Sequence, residues 1–245
     1  MASVIDKASE VYTEKISLVL LFSIPFIIAF AIPLLAPLPT YISAGAIFLR
    51  SASLFVNGSI NVIDLSVITI SSIFSLLFLS FAFVLISLLV KSKRTHSTIG
   101  KRAFNNIETY IGKVFTILFA YAVVLVIANI VGYSLGASAL LTGIVGFFLF
   151  ALLFYAPSAV VIDDKKVWRA VKDSVKLVLH EPQYFLLWLV LTTIIVSAVD
   201  VASIAVFGTY LSPYVTLIIN SLFVVPYFVI FQAEAYMERF RLLRH

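Results

Sequence analysis

Val114–Ile162 reads VFTILFAYAVVLVIANIVGYSLGASALLTGIVGFFLFALLFYAPSAVVI, 49 residues without an Asp, Glu, Lys, Arg or His. As helix, at ~1.5 Å per residue, such a run is more than twice as long as the ~30 Å of a bilayer's hydrocarbon core. Gly136 and Ser138 divide it, so it reads as two membrane-crossing helices, about Val114–Leu135 and Leu140–Ile162. Windows of ~19 residues find four further apolar runs. They lie at about Ser17–Ala36, Ile63–Val90, Tyr184–Phe207 and Tyr214–Tyr236. Pro37 and Pro39 follow the first run, and Gly208 with Pro213 separates the last two. The second is long enough to tilt or to protrude as helix beyond the bilayer. The expected fold is all-α: a polytopic membrane protein with six transmembrane helices, one membrane domain over residues 1–245.

Composition agrees. Of the 245 residues, 62% are apolar and 12% charged, against roughly 45–50% and 25% in an average soluble domain. Mean hydropathy is +1.12. These values argue against a secreted, nucleic-acid-binding or ordinary cytosolic enzyme. The net charge of +5 sits beside the apolar runs, so anionic lipid headgroups are the expected partner rather than nucleic acid. Other membrane protein subunits are further candidates. Cysteine is absent, which excludes thiolate chemistry, disulfides and Cys-based metal sites. Asp6, Glu10 and Glu14 do not suit a cleaved signal peptide.

Orientation follows from the basic residues. Lys7 and Lys15 precede the first span, and Lys91, Lys93, Arg94, Lys101, Arg102 and Lys113 fill the second connection. Lys165, Lys166, Arg169, Lys172 and Lys176 fill the fourth, and Arg239, Arg241 and Arg244 end the chain. Arg50 stands alone on the other side. The positive-inside rule then puts both termini in the cytoplasm of a multi-pass cell-membrane protein. Asn57-Gly58-Ser59, an acceptor tripeptide for N-glycosylation, falls in the external loop. Tyr110, Tyr133, Trp168, Tyr184, Trp188, Tyr210, Tyr214 and Tyr236 fall near span boundaries, as an aromatic belt would.

The basic segments have helical periodicity. In Asp164–His180, Lys165, Arg169, Lys172 and Lys176 recur as one stripe, opposed by Trp168, Val171, Val175, Val178 and Leu179. This is the composition of a helix lying in the bilayer interface, and the four cations are candidate lipid-headgroup ligands. Its apolar face has a second use, packing on the ends of the spans. Asp163 and Asp164 are expected at its N-terminus, where carboxylates favour the helix dipole. Val4, Ala8, Val11, Tyr12 and Ile16 make a similar stripe before the first span, and Ile99, Ala103, Ile107 and Tyr110 one before the third. The chain therefore reads as three units of amphipathic helix plus hairpin, residues 1–90, 91–162 and 163–245.

Tyr155-Ala156-Pro157-Ser158-Ala159-Val160-Val161-Ile162-Asp163, followed by Ala170 and Ser174, carries a resemblance. It is similar to the six-span membrane domain attached to some glycerophosphoryl diester phosphodiesterases and to its stand-alone bacterial and archaeal relatives. Pro157, Asp163, Ala170 and Ser174 match that family's pattern; Lys165 and Lys166 stand where a Gly often follows the acidic turn. The resemblance implies a fold and a membrane location. It implies no activity, since the phosphodiesterase chemistry belongs to a separate soluble domain.

Candidate chemistry is sparse. His96, His180 and His245 form no metal-ligand pair, and no nucleophile elbow or phosphate loop occurs. No catalytic residue, metal or cofactor is expected. Asp200 is the only carboxylate well inside an expected span, with Asp64 and Glu234 near span ends. Thr193, Ser197 and Asp200 share a face, and Asn129 and Asn220 lie at a similar depth. These five residues form the candidate polar cluster, serving either interhelical hydrogen bonds or a transported cation or small metabolite. Asp200 is expected to avoid lipid by meeting Arg50, Asn129, Asn220 or water. Pro25, Pro33, Pro157 and Pro226 lie inside expected spans, and Pro157 reads as a bend leading into the interfacial helix. The first functional expectation is a non-enzymatic lipid-interacting scaffold or subunit of a membrane complex. A small transporter or channel is the alternative.

Overall fold

The computed structural model describes residues 2–35, 62–94 and 106–242, and every regular element among them is helical. Arg50, Asn57 and the amphipathic stripe before the third span as far as Ala103 lie outside the described residues. The helices are α1 (Ala2–Glu14), α2 (Ile16–Leu35), α3 (Val62–Arg94), α4 (Ile107–Ser134) and α5 (Ser138–Leu153). They continue as α6 (Ala156–Ile162), α7 (Val167–His180) and α8 (Pro182–Ile219). A π-helical turn (Asn220–Val224) then leads into α9 (Val225–Leu242).

Four described segments are long and apolar enough to cross a bilayer: Thr69–Arg94, Ile107–Ser134, Ser138–Ile162 and Pro182–Glu238. Counting the bent pair Val4–Glu14 plus Ile16–Ile32 makes five. The expected six are thus not counted out one by one. The first expected span runs on into residue 36, outside the described residues. The last two are merged in one helical segment of 57 residues, which at ~1.5 Å per residue far exceeds the ~30 Å of hydrocarbon. That segment is broken at Gly208, whose φ of 71° and ψ of 173° are not helical. Beyond the break the chain returns on itself. Trp188 Nε1 donates to the Phe228 carbonyl at 3.2 Å, and Val196, Val224 and Phe228 form one apolar cluster. Gly136, at φ 68°, turns α4 into α5 in the same way, since only Gly adopts this left-handed backbone without steric cost.

α1 meets α2 at 92°. Val4, Ala8 and Val11, its apolar stripe, are fully buried, and Tyr12 packs edge-on against Tyr227 of α9 at 5.7 Å. A stripe repeating at i, i+4 and i+7 gives a short helix one face to bury, and α1 uses it to close one end of the bundle. That end collects the charge. Lys7 pairs with Glu238 at 2.9 Å, and Lys93 with Glu10 and Glu14 at 3.1 Å each. Arg94 Nε donates to both carboxylate oxygens of Glu234, at 2.8 and 3.0 Å. Lys113 meets Asp164 at 3.1 Å. Basic residues from separate connections therefore share one end.

The tyrosines near the expected span boundaries differ in exposure. Tyr110, Tyr184 and Tyr236 are buried, whereas Tyr133, Tyr210 and Tyr214 are exposed. A Tyr ring with a partner for its hydroxyl packs well inside a bundle. Proximity to a span boundary therefore does not decide exposure.

Glu234 is only 2% exposed, and Arg94 is the cation paired with it. Arg94→Leu should lower bundle stability by roughly 3–5 kcal/mol, the scale for breaking a buried pair from one side. The double variant Arg94→Leu/Glu234→Leu should recover much of the loss, read as the thermal midpoint of purified protein.

Candidate functional site

The stretch around Pro157 is a junction built from a helix break. α5 ends at Leu153 and α6 starts at Ala156 with Pro157 in its first turn. Proline fits there because it has no N–H to leave unpaired. The interruption leaves backbone groups without helical partners, and Ser174 of α7 meets two of them. Its Oγ accepts from Tyr155 N at 2.9 Å and donates to the Leu152 carbonyl at 2.7 Å. Ala170, one turn earlier on α7, is fully buried. The helix is interrupted just before Pro157, and a small-residue face of α7 locks the interruption.

α7 does not begin where the acidic pair suggests. Asp163 is the C-terminal cap of α6, and Asp164 has φ 52°. α7 starts at Val167 with Lys166 as its N-cap and no acidic residue in its first turn. The two aspartates form ion pairs instead of favouring that helix dipole. Asp163 Oδ2 accepts from Tyr236 Oη at 2.7 Å and pairs with Lys165 at 3.0 Å. Lys165 also pairs with Asp173 at 2.8 Å and donates to Tyr236 Oη at 2.9 Å. Tyr236 is fully buried. Lys165 thus lies before the helix and turns inward, apart from the stripe to which the periodicity assigned it.

Three strips remain on α7. Ala170, Ser174, Leu177 and Val178 face the bundle. Arg169, Lys172 and Lys176 are exposed. Trp168 and Leu179 were expected to share one apolar face with Val178, yet they are 78% and 68% exposed. Trp168, half-buried Val175 and Leu179 recur at about helical spacing between the inward face and the cations. The result is an outward apolar strip beside an outward basic one.

The candidate polar cluster is dispersed. Thr193 and Ser197 are exposed, and Thr193 Oγ1 donates back to the Leu189 carbonyl at 2.8 Å. Their shared face is an outer face of α8. Asp200 is half-buried and is not without a partner. Asn129 of α4 reaches α5, its Nδ2 donating to Thr142 Oγ1 at 3.4 Å. Asn220 is fully buried in the π-helical turn, against α2 and α8. The two asparagines therefore serve different helix pairs.

The salt-bridge network at the charged end was not legible, because its members come from four separate segments and periodicity within one segment does not pair them. Among the described residues, no group of three or more His, Asp or Glu is arranged to hold a metal ion. His180 is exposed and lies 2.9 Å from the Lys176 carbonyl. No protein-family profile, curated protein or solved structure matches the chain.

Ser174→Ala would leave the Tyr155 N–H and the Leu152 carbonyl buried without partners, at about 1–3 kcal/mol for each stranded group. Ser158 is equally buried, but its hydroxyl has no hydrogen-bond partner. Ser158→Ala should be neutral or stabilising. Unfolding midpoints of the two variants should differ accordingly, with Ser174→Ala far the lower.

Proposed function

We propose that the chain is a non-catalytic integral membrane protein that engages anionic lipid through α7 and acts as a scaffold or as a subunit of a membrane complex. The observation that carries this reading is the outward pairing on α7. An exposed Trp and Leu strip runs beside exposed Arg169, Lys172 and Lys176, on a helix whose third face is fixed to the bundle. In the interface the apolar strip would sink toward the acyl boundary and the cations would meet phosphate, each contributing ~1 kcal/mol near an anionic surface. Lys165, engaged with Asp163 and Asp173, contributes to holding α7 rather than to the lipid face.

The membrane setting is supported by the exposed apolar side chains along the outer surfaces of α4, α5 and α8, among them Val126, Ile127, Phe148 and Ile194. Taking Pro182–Glu238 as a hairpin about Gly208 and α2 as a span gives the six-span layout, with both termini cytoplasmic by the distribution of Lys and Arg. The resemblance carried by Tyr155–Asp163, Ala170 and Ser174 fits the same layout.

Single cysteines placed at Asn57, Thr95 and His245 in this cysteine-free chain test the topology. Labelling of Asn57→Cys alone by an impermeant external reagent is expected. External labelling at either of the other two would overturn the layout. Trp168 tests the lipid reading. With Trp188→Phe removing the other Trp, fluorescence should be quenched by brominated phosphatidylglycerol in vesicles. Arg169→Gln/Lys172→Gln/Lys176→Gln should reduce the anionic lipid retained on purification. Unquenched Trp168 together with unchanged retention would refute the reading.

A further inference from the structure

Asn220 is fully buried, yet neither its Oδ1 nor its Nδ2 has a hydrogen-bond partner. Its neighbour Ser221, also fully buried, leaves its Oγ unpaired, as does Thr192, which is 5% exposed. The usual resolution for a hydroxyl in a helix is a bond to the carbonyl four residues back. Ser23 and Ser80 take it, at 2.6 Å each. Ser221 and Thr192 do not.

These residues belong to one region. Trp188, Thr192 and Val196 follow one another at i, i+4 and i+8 on α8. The first bonds to the Phe228 carbonyl, and the last packs with Val224 and Phe228. Thr192 therefore faces the stretch between Val224 and Phe228, more than a helical turn along from Asn220 and Ser221. α2 packs on the same π-helical turn. Ser212, Thr216 and Asn220, again at i, i+4 and i+8, are all buried, so the polar lining continues toward Gly208. On the other side, Trp188 and Phe228 close it, their rings edge-on at 5.8 Å. A π-helical turn widens the helix and recurs at functional positions.

We infer that Asn220 and Ser221 line an internal site that binds water. An unpaired amide or hydroxyl in a dry interior costs about 1–3 kcal/mol by mutational measures, and here several such groups lie together. The chemistry selects the ligand. A cation would suit Oδ1 and the hydroxyl oxygen but would be repelled by the Asn220 amide hydrogens. An anion would suit those hydrogens and be repelled by Oδ1. A small neutral molecule that both donates and accepts satisfies all of them, and water needs only two to four such partners. This site does not depend on the lipid reading of α7.

Synchrotron radiolytic footprinting of the full chain in nanodiscs, read by mass spectrometry, tests the inference, because radiolysis of a bound water oxidises the side chains beside it. Leu217, Val224 and Phe228 should be oxidised several-fold more than Leu177, Val178 and Phe185, the same residue types at closely similar burial. Asn220→Leu should abolish the difference. Should that variant fail to fold, Ser221→Ala should reduce the difference instead. Oxidation of Leu217, Val224 and Phe228 no greater than that of Leu177, Val178 and Phe185 would overturn the site. So would oxidation that is unchanged in a folded variant.

Discussion

The arrangement of the helices depends on the charge collected at one end of the bundle. Glu234 is almost wholly excluded from water, and a carboxylate there is costly without a cation against it. Arg94, in the last turn of α3, supplies it. Once α3 and α9 are joined in this way, other pairs set their neighbours: Lys7 with Glu238 holds α1 to α9, and Lys93 with Glu10 and Glu14 holds it to α3. Lys91 donates to the Val161 carbonyl at 2.8 Å, bringing α6 against α3. Close packing between the helices restricts sliding and rotation, and ion pairs with fixed geometry add to it in selecting one register. Val4, Ala8 and Val11 then bury the face that the pairs have positioned.

The junction at Ser174 transmits that order to α7. Tyr155, whose N–H Ser174 accepts, has its ring 6.3 Å from that of Tyr236. Tyr236 in turn donates to Asp163, which Lys165 joins to Asp173 on α7. One serine and one tyrosine thus connect the helix break, the acidic turn and α7. The small side chains of Ala170 and Ser174 let α7 approach closely, and close approach dictates which face turns outward.

Hydropathy made the long helices legible: the breaks at Gly136 and Gly208 stand where punctuation by Gly put them, and the interruption at Phe154 and Tyr155 comes just before Pro157. The facing of α7 was only partly legible. Periodicity correctly separated Arg169, Lys172 and Lys176 from Val178, but it grouped residues by polarity. The inward face is chosen by fit. Ala170 and Ser174 are inside because they are small and, for Ser174, because two backbone groups need it; Trp168 is outside because its bulk cannot enter there. Asp163 and Asp164 were assigned by proximity to α7, while their partners Tyr236 and Lys113 are distant in sequence and invisible to any local rule.

The dispersal of the polar cluster follows from what each side chain can satisfy by itself. A threonine hydroxyl needs little, and the carbonyl four residues back supplies it, as Leu189 does for Thr193. Such a residue can sit on an outer apolar surface at small cost, so a helical row of hydroxyls says little about which way it faces. An amide has two donor hydrogens and an acceptor, more than one backbone carbonyl can engage. Asn129 turns to Thr142 on the adjacent helix, and Asn220 is wholly enclosed. In an apolar bundle it is therefore the amides, rather than the hydroxyls that share a face with Asp200, that mark the directions in which helices meet.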